Sequence, residues 1–155
     1  MSTRILKSSA RGFTLLELVI AVAILAVLST LAMPAYRSYR LRANRAEARA
    51  ALLSLAAAQE KYYLTCNSYV ADLAEDRETS CDPAQLRFAA RSEHGLYSLV
   101  VSAADVESWS ATATAVPDTP QRLDAECQVF GLDSIGAKTA VAADGTATDA
   151  LCWTR

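Results

Sequence analysis

Between Phe13 and Tyr36 the chain reads FTLLELVIAVAILAVLSTLAMPAY, in which only Thr14, Glu17, Ser29 and Thr30 are polar. No charge occurs from Leu18 to Ser29. About 20 apolar residues is the helix length that crosses ~30 Å of hydrocarbon. The run therefore reads as a helix that spans a membrane, or that alternates between lipid and a protein core. The stretch ahead of it, MSTRILKSSARG, is short, basic and polar. A secretory signal is cut after its apolar run, following small residues. Ala32 and Ala35 imitate such a site only loosely, and Met33-Pro34 with the basic residues beyond fit it poorly.

The rest of the 155 residues must supply any globular part. With 52% hydrophobic residues the chain can bury enough surface to fold, and its length allows one domain plus an appendage but not a multidomain enzyme. The net charge of -2 hides a division. Residues 1–65 carry nine Lys/Arg against three Asp/Glu, and residues 66–155 carry six against fourteen. A basic anchor or stalk followed by an acidic head is the arrangement this implies.

Helical periodicity continues beyond the apolar run. Leu41, Ala48, Leu52, Leu55, Ala56, Tyr62 and Tyr63 share one face, with Arg42, Arg45, Arg49, Glu60 and Lys61 as polar interruptions. Ala is abundant from Ala43 to Ala58 and no Gly or Pro intervenes there, so the pattern predicts one helix from about Phe13 to Leu64. Residues 13–36 form its membrane or filament half, and 37–64 an amphipathic stalk. Pro34 lies inside it, where the missing N–H predicts a kink. The arginines from Arg37 to Arg49 read as a solvated interfacial belt against lipid phosphates, or as ion pairs between subunits. A DNA-binding stripe is a weaker reading, because beyond Tyr39 no aromatic residue interleaves with the arginines until Tyr62.

Glu17 is the anomaly. A carboxylate in a membrane helix costs about 2.5–3.5 kcal/mol on insertion scales and calls for a partner. It can be favoured by the helix dipole in the first turn. It can also pair with an α-amine, if the chain is cut before Phe13 or if a neighbouring subunit supplies one. Arg11-Gly12-Phe13-Thr14-Leu15-Leu16-Glu17, followed by the apolar run, resembles the class III signal of type IV prepilins. That resemblance implies removal of residues 1–12 by prepilin peptidase after Gly12, N-methylation of Phe13, and an assembly role for Glu17. It also favours a kink at Pro34 over a helix end.

The resemblance implies an α+β architecture, the type IV pilin fold: a long N-terminal helix packed on a small antiparallel sheet in a head at residues 65–155. Strand patterns support it. Leu96–Val101 is β-rich, Trp109–Val116 alternates strictly, and Cys127–Asp133 forms a third run with Gly136 at a turn beyond it. Residues 65–95 read as irregular, with a short helix near Tyr69–Leu73. The stretch from Leu132 to Thr139, the Cys152-Trp153 ending and the stalk stretches Arg45–Arg49 and Gln59–Tyr63 resemble PilE-type minor pilins of type IVa pili.

Cys66, Cys81, Cys127 and Cys152 lack CxxC spacing, and His94 is the sole histidine, which argues against zinc. Cysteines after an anchor point to disulfides in an oxidising compartment, against the cytoplasmic C-terminus that the arginine-rich flank suggests by the positive-inside rule. Three pairings exist. Cys66–Cys81 with Cys127–Cys152 is favoured, each closing a modest loop, and the resemblance supports the second bridge.

No catalytic constellation, cofactor motif or metal set stands out. His94, beside Gly95, reads as a surface residue. Asp133, Asp144 and Asp149 lack EF-hand spacing and read as a solvated loop rather than a calcium site. Trp153 reads as packing on the adjacent disulfide.

The expected function is a structural minor pilin, not an enzyme. Its head lies in the periplasm while the helix crosses the inner membrane, and the subunit then enters an extracellular type IV pilus for twitching motility, adhesion or DNA uptake. Its expected partners are other pilin subunits, prepilin peptidase, the assembly machinery of the inner membrane and the lipid bilayer. One alternative is a pseudopilin of type II secretion. Another is a filament-associated DNA- or surface-binding pilin, although an acidic head repels DNA phosphates.

Overall fold

A computed structural model describes residues 13–154. Gly12 and the rest of the leader, with Arg155, lie outside the described residues. The chain divides into two compact units, one ending at Ser38 and one beginning at Tyr39. A single helix, α1 (Leu15–Cys66), runs through both.

In the first unit Thr14 caps α1, its Oγ1 accepting the Glu17 N–H at 3.2 Å. Glu17 stands three residues past the cap, as in a Thr-x-x-Glu capping box, where its charge also complements the helix dipole. Ser29 Oγ and Thr30 Oγ1 donate to the carbonyls of Leu25 and Val27, both at 2.7 Å. The hydroxyls of the apolar run are thus satisfied within the helix, as hydrocarbon requires. Pro34 does not end the helix. The large apolar side chains from Phe13 to Met33 are all exposed.

The second unit has its own core. Ala48, Leu52, Leu55 and Tyr62 of α1 meet Tyr97, Leu99, Trp109, Ala111, Ala113, Phe130 and Leu132 in one cluster. Burying each large apolar side chain contributes about 1.5–3 kcal/mol. Among the described residues, every buried one and both disulfides fall between Arg45 and Cys152, so the core of this unit uses none of the apolar half of α1. The helix ends two residues beyond the expected Leu64. Asn67, at φ 51°, adopts the left-handed conformation, and its N–H bonds the Tyr63 carbonyl at 2.8 Å. Asparagine tolerates this closing geometry.

A two-stranded hairpin, β1 (Ser80–Cys81) with β2 (Ala84–Gln85), precedes the main sheet. That sheet contains β3 (Tyr97–Ala104), β4 (Trp109–Ala115), β5 (Val129–Asp133) and β6 (Lys138–Val141), antiparallel and in sequential order. The alternating pattern puts Tyr97, Leu99, Val101, Trp109, Ala111, Ala113 and Ala115 inside. The sequence predicts three strands and the meander has four; β6 is short and only Ala140 in it is buried, so its apolar pattern is faint. Gly136, at φ 79°, turns β5 into β6.

Residues 67–96 differ from expectation. No helix forms near Tyr69–Leu73; the β1–β2 hairpin follows instead, and Leu73 bridges Leu86. The loop is held by non-local bonds: Gln59 Nε2 donates to the Val70 carbonyl at 2.6 Å, and Val70 N–H donates back to Gln59 Oε1 at 3.1 Å. A short 3-10 helix (Pro120–Leu123) precedes β5, and α2 (Asp149–Thr154) closes the chain.

Candidate functional sites

Two bridges staple the second unit. Cys66 joins Cys81 at the end of α1, and Cys127 joins Cys152 between the start of β5 and α2. Trp153, beside the second bridge, packs edge-on against Phe130 with ring centroids 6.0 Å apart. Its Nε1 donates to the Thr139 carbonyl at 2.8 Å, and Lys138 Nζ lies 5.4 Å above its ring.

The expected arginine belt resolves into different roles. Arg45 leaves it altogether: only 3% exposed, it forms two hydrogen bonds with Asp124 at 2.7 and 2.8 Å and one with Glu126 at 2.7 Å. Gln121 Nε2 adds a bond to Asp124 Oδ2 at 2.9 Å. Burial opposes the guanidinium charge, but the bonds to the two carboxylates outweigh it and raise the Arg45 pKa. Arg45 stands at a helical interval from Ala48 and Leu52, but nothing in the local sequence gives its partners, which lie about 80 residues away. Arg49 donates to the Trp153 carbonyl at 3.2 Å. Arg40 and Arg42 remain exposed.

A cleft of about 750 Å³ runs between α1 and the 88–96 segment. Arg40, Asn44 and Glu47 line its helical wall, with Arg91, Phe88 and His94 across from them. Segment 90–92 is fastened along the edge of β3: Leu99 N–H donates to the Ala90 carbonyl and Ser92 N–H to the Tyr97 carbonyl, both at 2.9 Å, and Arg91 pairs with Ser98. His94 is exposed but not isolated. Its backbone N–H donates to Glu47 Oε1 at 2.9 Å, and its Nδ1 lies 3.2 Å from Oε2. Burial would raise the Glu47 pKa, but bonds from Ser92, His94 and the Leu96 backbone dominate and lower it.

The three aspartates considered for calcium do not gather. Asp133 Oδ1 accepts from Ile135 and Ala137 and Asp144 Oδ1 from Thr146, each in its own turn, while Asp149 Oδ1 accepts from Ala140 of β6, so each is engaged by backbone N–H groups. Among the described residues no three His, Cys, Asp or Glu side chains form a metal-ligand group.

Comparison with known proteins bears on both units. Residues 7–33 match the prokaryotic N-terminal methylation motif. Residues 34–131 match the family described as type IV minor pilin ComP, DNA uptake sequence receptor. Among curated proteins none matches the chain. One solved structure it resembles is the non-core minor pilin PilV of Neisseria meningitidis, with a TM-score of 0.51 and 17% identity over 70% of this chain and 94% of that one. At that identity the likeness concerns the fold.

Proposed function

The chain belongs to the ComP family of type IV minor pilins, and from that premise we propose that it is a pilus subunit whose head captures DNA. Membrane anchoring through the apolar helix and assembly with other pilins into a type IV pilus follow from the family and from the N-terminal methylation motif. The observation that carries the DNA reading is the match of residues 34–131, most of the head, to a DNA uptake sequence receptor. The acidic average of residues 66–155 argues against it only as an average, since duplex binding depends on local cations that displace counterions from phosphates.

The finer steps rest on the resemblance of residues 11–17. In this reading prepilin peptidase cuts after Gly12 and methylates Phe13. Residues 13–36 hold the subunit in the inner membrane with its head in the periplasm, and later pack in the filament core. Glu17 registers the subunit against an α-amine, and Pro34 lets the helix adapt during assembly. Disulfides support a periplasmic head, because they persist in oxidising compartments.

Mass spectrometry of sheared surface filaments tests the processing: a chain starting at N-methylated Phe13 is expected, and an intact Met1 overturns it. Binding of labelled duplex by the full-length oxidised protein in neutral detergent tests the DNA reading. Affinity that falls steeply with salt is expected, and none detectable at low salt overturns it.

A further inference from the structure

We propose that DNA lies along the cleft between α1 and the 88–96 segment, with Arg40 and Arg91 gripping its phosphates from opposite walls. The placement rests on the DNA reading above. Among the described residues Arg45, Arg77 and Arg87 are each paired with a carboxylate. Arg40 and Arg91 have no such pairing there, are exposed, and line one cleft. A guanidinium fork with free donors matches two phosphate oxygens.

Both cations stand on fixed backbone. Arg40 is in the helix, and Arg91 is on the segment bonded along the edge of β3. Binding then has the two side chains, but not their backbone, left to order. The acid on the helical wall, Glu47, is already engaged by the backbone and ring nitrogens of His94. Glu93, exposed and also lining the cleft, adds a second carboxylate that repels a bound phosphate chain. Asn44 supplies a neutral amide that can bond phosphate or sugar oxygens.

Two cations outside the cleft lining suit the role less well. Arg49 is spent on the Trp153 carbonyl and Lys138 on the Trp153 ring, and Lys138 lies beyond the residues that match the receptor family. Every residue lining the cleft falls within that match.

The test uses the full-length oxidised protein in neutral detergent, which keeps Arg40 inside α1, with a short labelled mixed-sequence duplex over a salt series. Removing one cation that neutralises a phosphate lowers the slope of log affinity against log salt by about 0.9. Arg40→Gln and Arg91→Gln are each expected to reduce the slope by about that amount and to weaken binding several-fold. Arg91→Lys should keep the slope, Glu93→Gln should tighten binding, and Lys138→Gln should change neither. All of these side chains are exposed, so circular dichroism should show an unchanged fold. If the wild-type protein binds and the Arg40 and Arg91 variants keep its slope, this placement is overturned while the DNA reading stands. If those variants bind DNA normally but enter pili poorly, the cleft is a subunit interface and the placement is likewise overturned. Absence of binding by wild type removes both.

Discussion

Arg45 on the helix and Asp124, 79 residues further along, form a two-pronged ion pair at 2.7 and 2.8 Å with both side chains 3% exposed. The pair ties the stalk to the segment before β5. Removing one partner strands a buried charge, which costs about 3–5 kcal/mol. Asp124→Ala should therefore lower stability in urea by that amount. Arg45→Met with Asp124→Leu should cost much less than the two single changes added together. Additive losses would show that the two residues act independently.

Glu47 gives the head a pH dependence. Its folded pKa lies below the ordinary 4.5 because of its hydrogen bonds from Ser92, His94 and Leu96, which dominate over burial. A depressed carboxylate stabilises the fold above its unfolded pKa, and that stability is lost as pH falls through the folded value. The stability gap between wild type and Glu47→Gln should be full above about pH 5 and shrink below 4.5. A gap that stays constant from neutral to strongly acidic pH contradicts the assignment.

Each disulfide limits the unfolded chain. The Cys127–Cys152 loop of 25 residues corresponds to about 3.5 kcal/mol and the Cys66–Cys81 loop of 15 to about 3 kcal/mol in the chain-entropy account. Cys127→Ser with Cys152→Ser should lower the melting temperature markedly. Cys66→Ser with Cys81→Ser should in addition expose the 67–81 loop to protease, since the bridge fastens that loop to α1. Equal protease resistance with and without this bridge would refute the local role.

Gly131 sits opposite Thr139 in the β5–β6 register. A Cβ at position 131 would collide with Thr139 Oγ1, while Thr139 Cβ stays at an ordinary 3.6 Å. Gly131→Ala should destabilise by about 1–3 kcal/mol, and adding Thr139→Ala should recover most of that. No recovery would place the strain elsewhere.

Glu17→Ala should leave the head intact and the protein in the membrane, yet reduce its amount in sheared pili. Glu17→Gln separates the charge from the helix cap, because the cap uses the Glu17 backbone N–H and the Thr14 hydroxyl. Incorporation by the Gln variant equal to wild type would remove the need for a charged partner.

The stalk shows where sequence reading succeeds and where it stops. Ala48, Leu52, Leu55 and Tyr62 are spaced at helical intervals and are buried. Arg45 and Gln59 occupy the same stripe and are buried too, but a polar residue in an apolar stripe gives no sign of distant partners. The Thr14-x-x-Glu17 cap is local, and its spacing is present in the sequence. The hairpin Ser80–Gln85 and the course of residues 67–96 depend on Gln59, on the bridge to Cys81 and on the edge of β3, so no periodic pattern announces them. The two arginines of the cleft are ordinary surface cations in sequence. Only their place on the two sides of one cleft, without a carboxylate partner, sets them apart.

The sequence alone determined the apolar helix, the amphipathic stalk, the β-rich run Leu96–Val101, the alternating run Trp109–Val116 and the motif around Gly12-Phe13. Each depends on hydrophobic period or on neighbours a few residues away. The tertiary structure decided which arginine is buried, which acids are engaged, where the fourth strand pairs and which cations face one cleft. Those choices turn on pairings between residues tens of positions apart, whose energies arise only when the folded chain removes both partners from water.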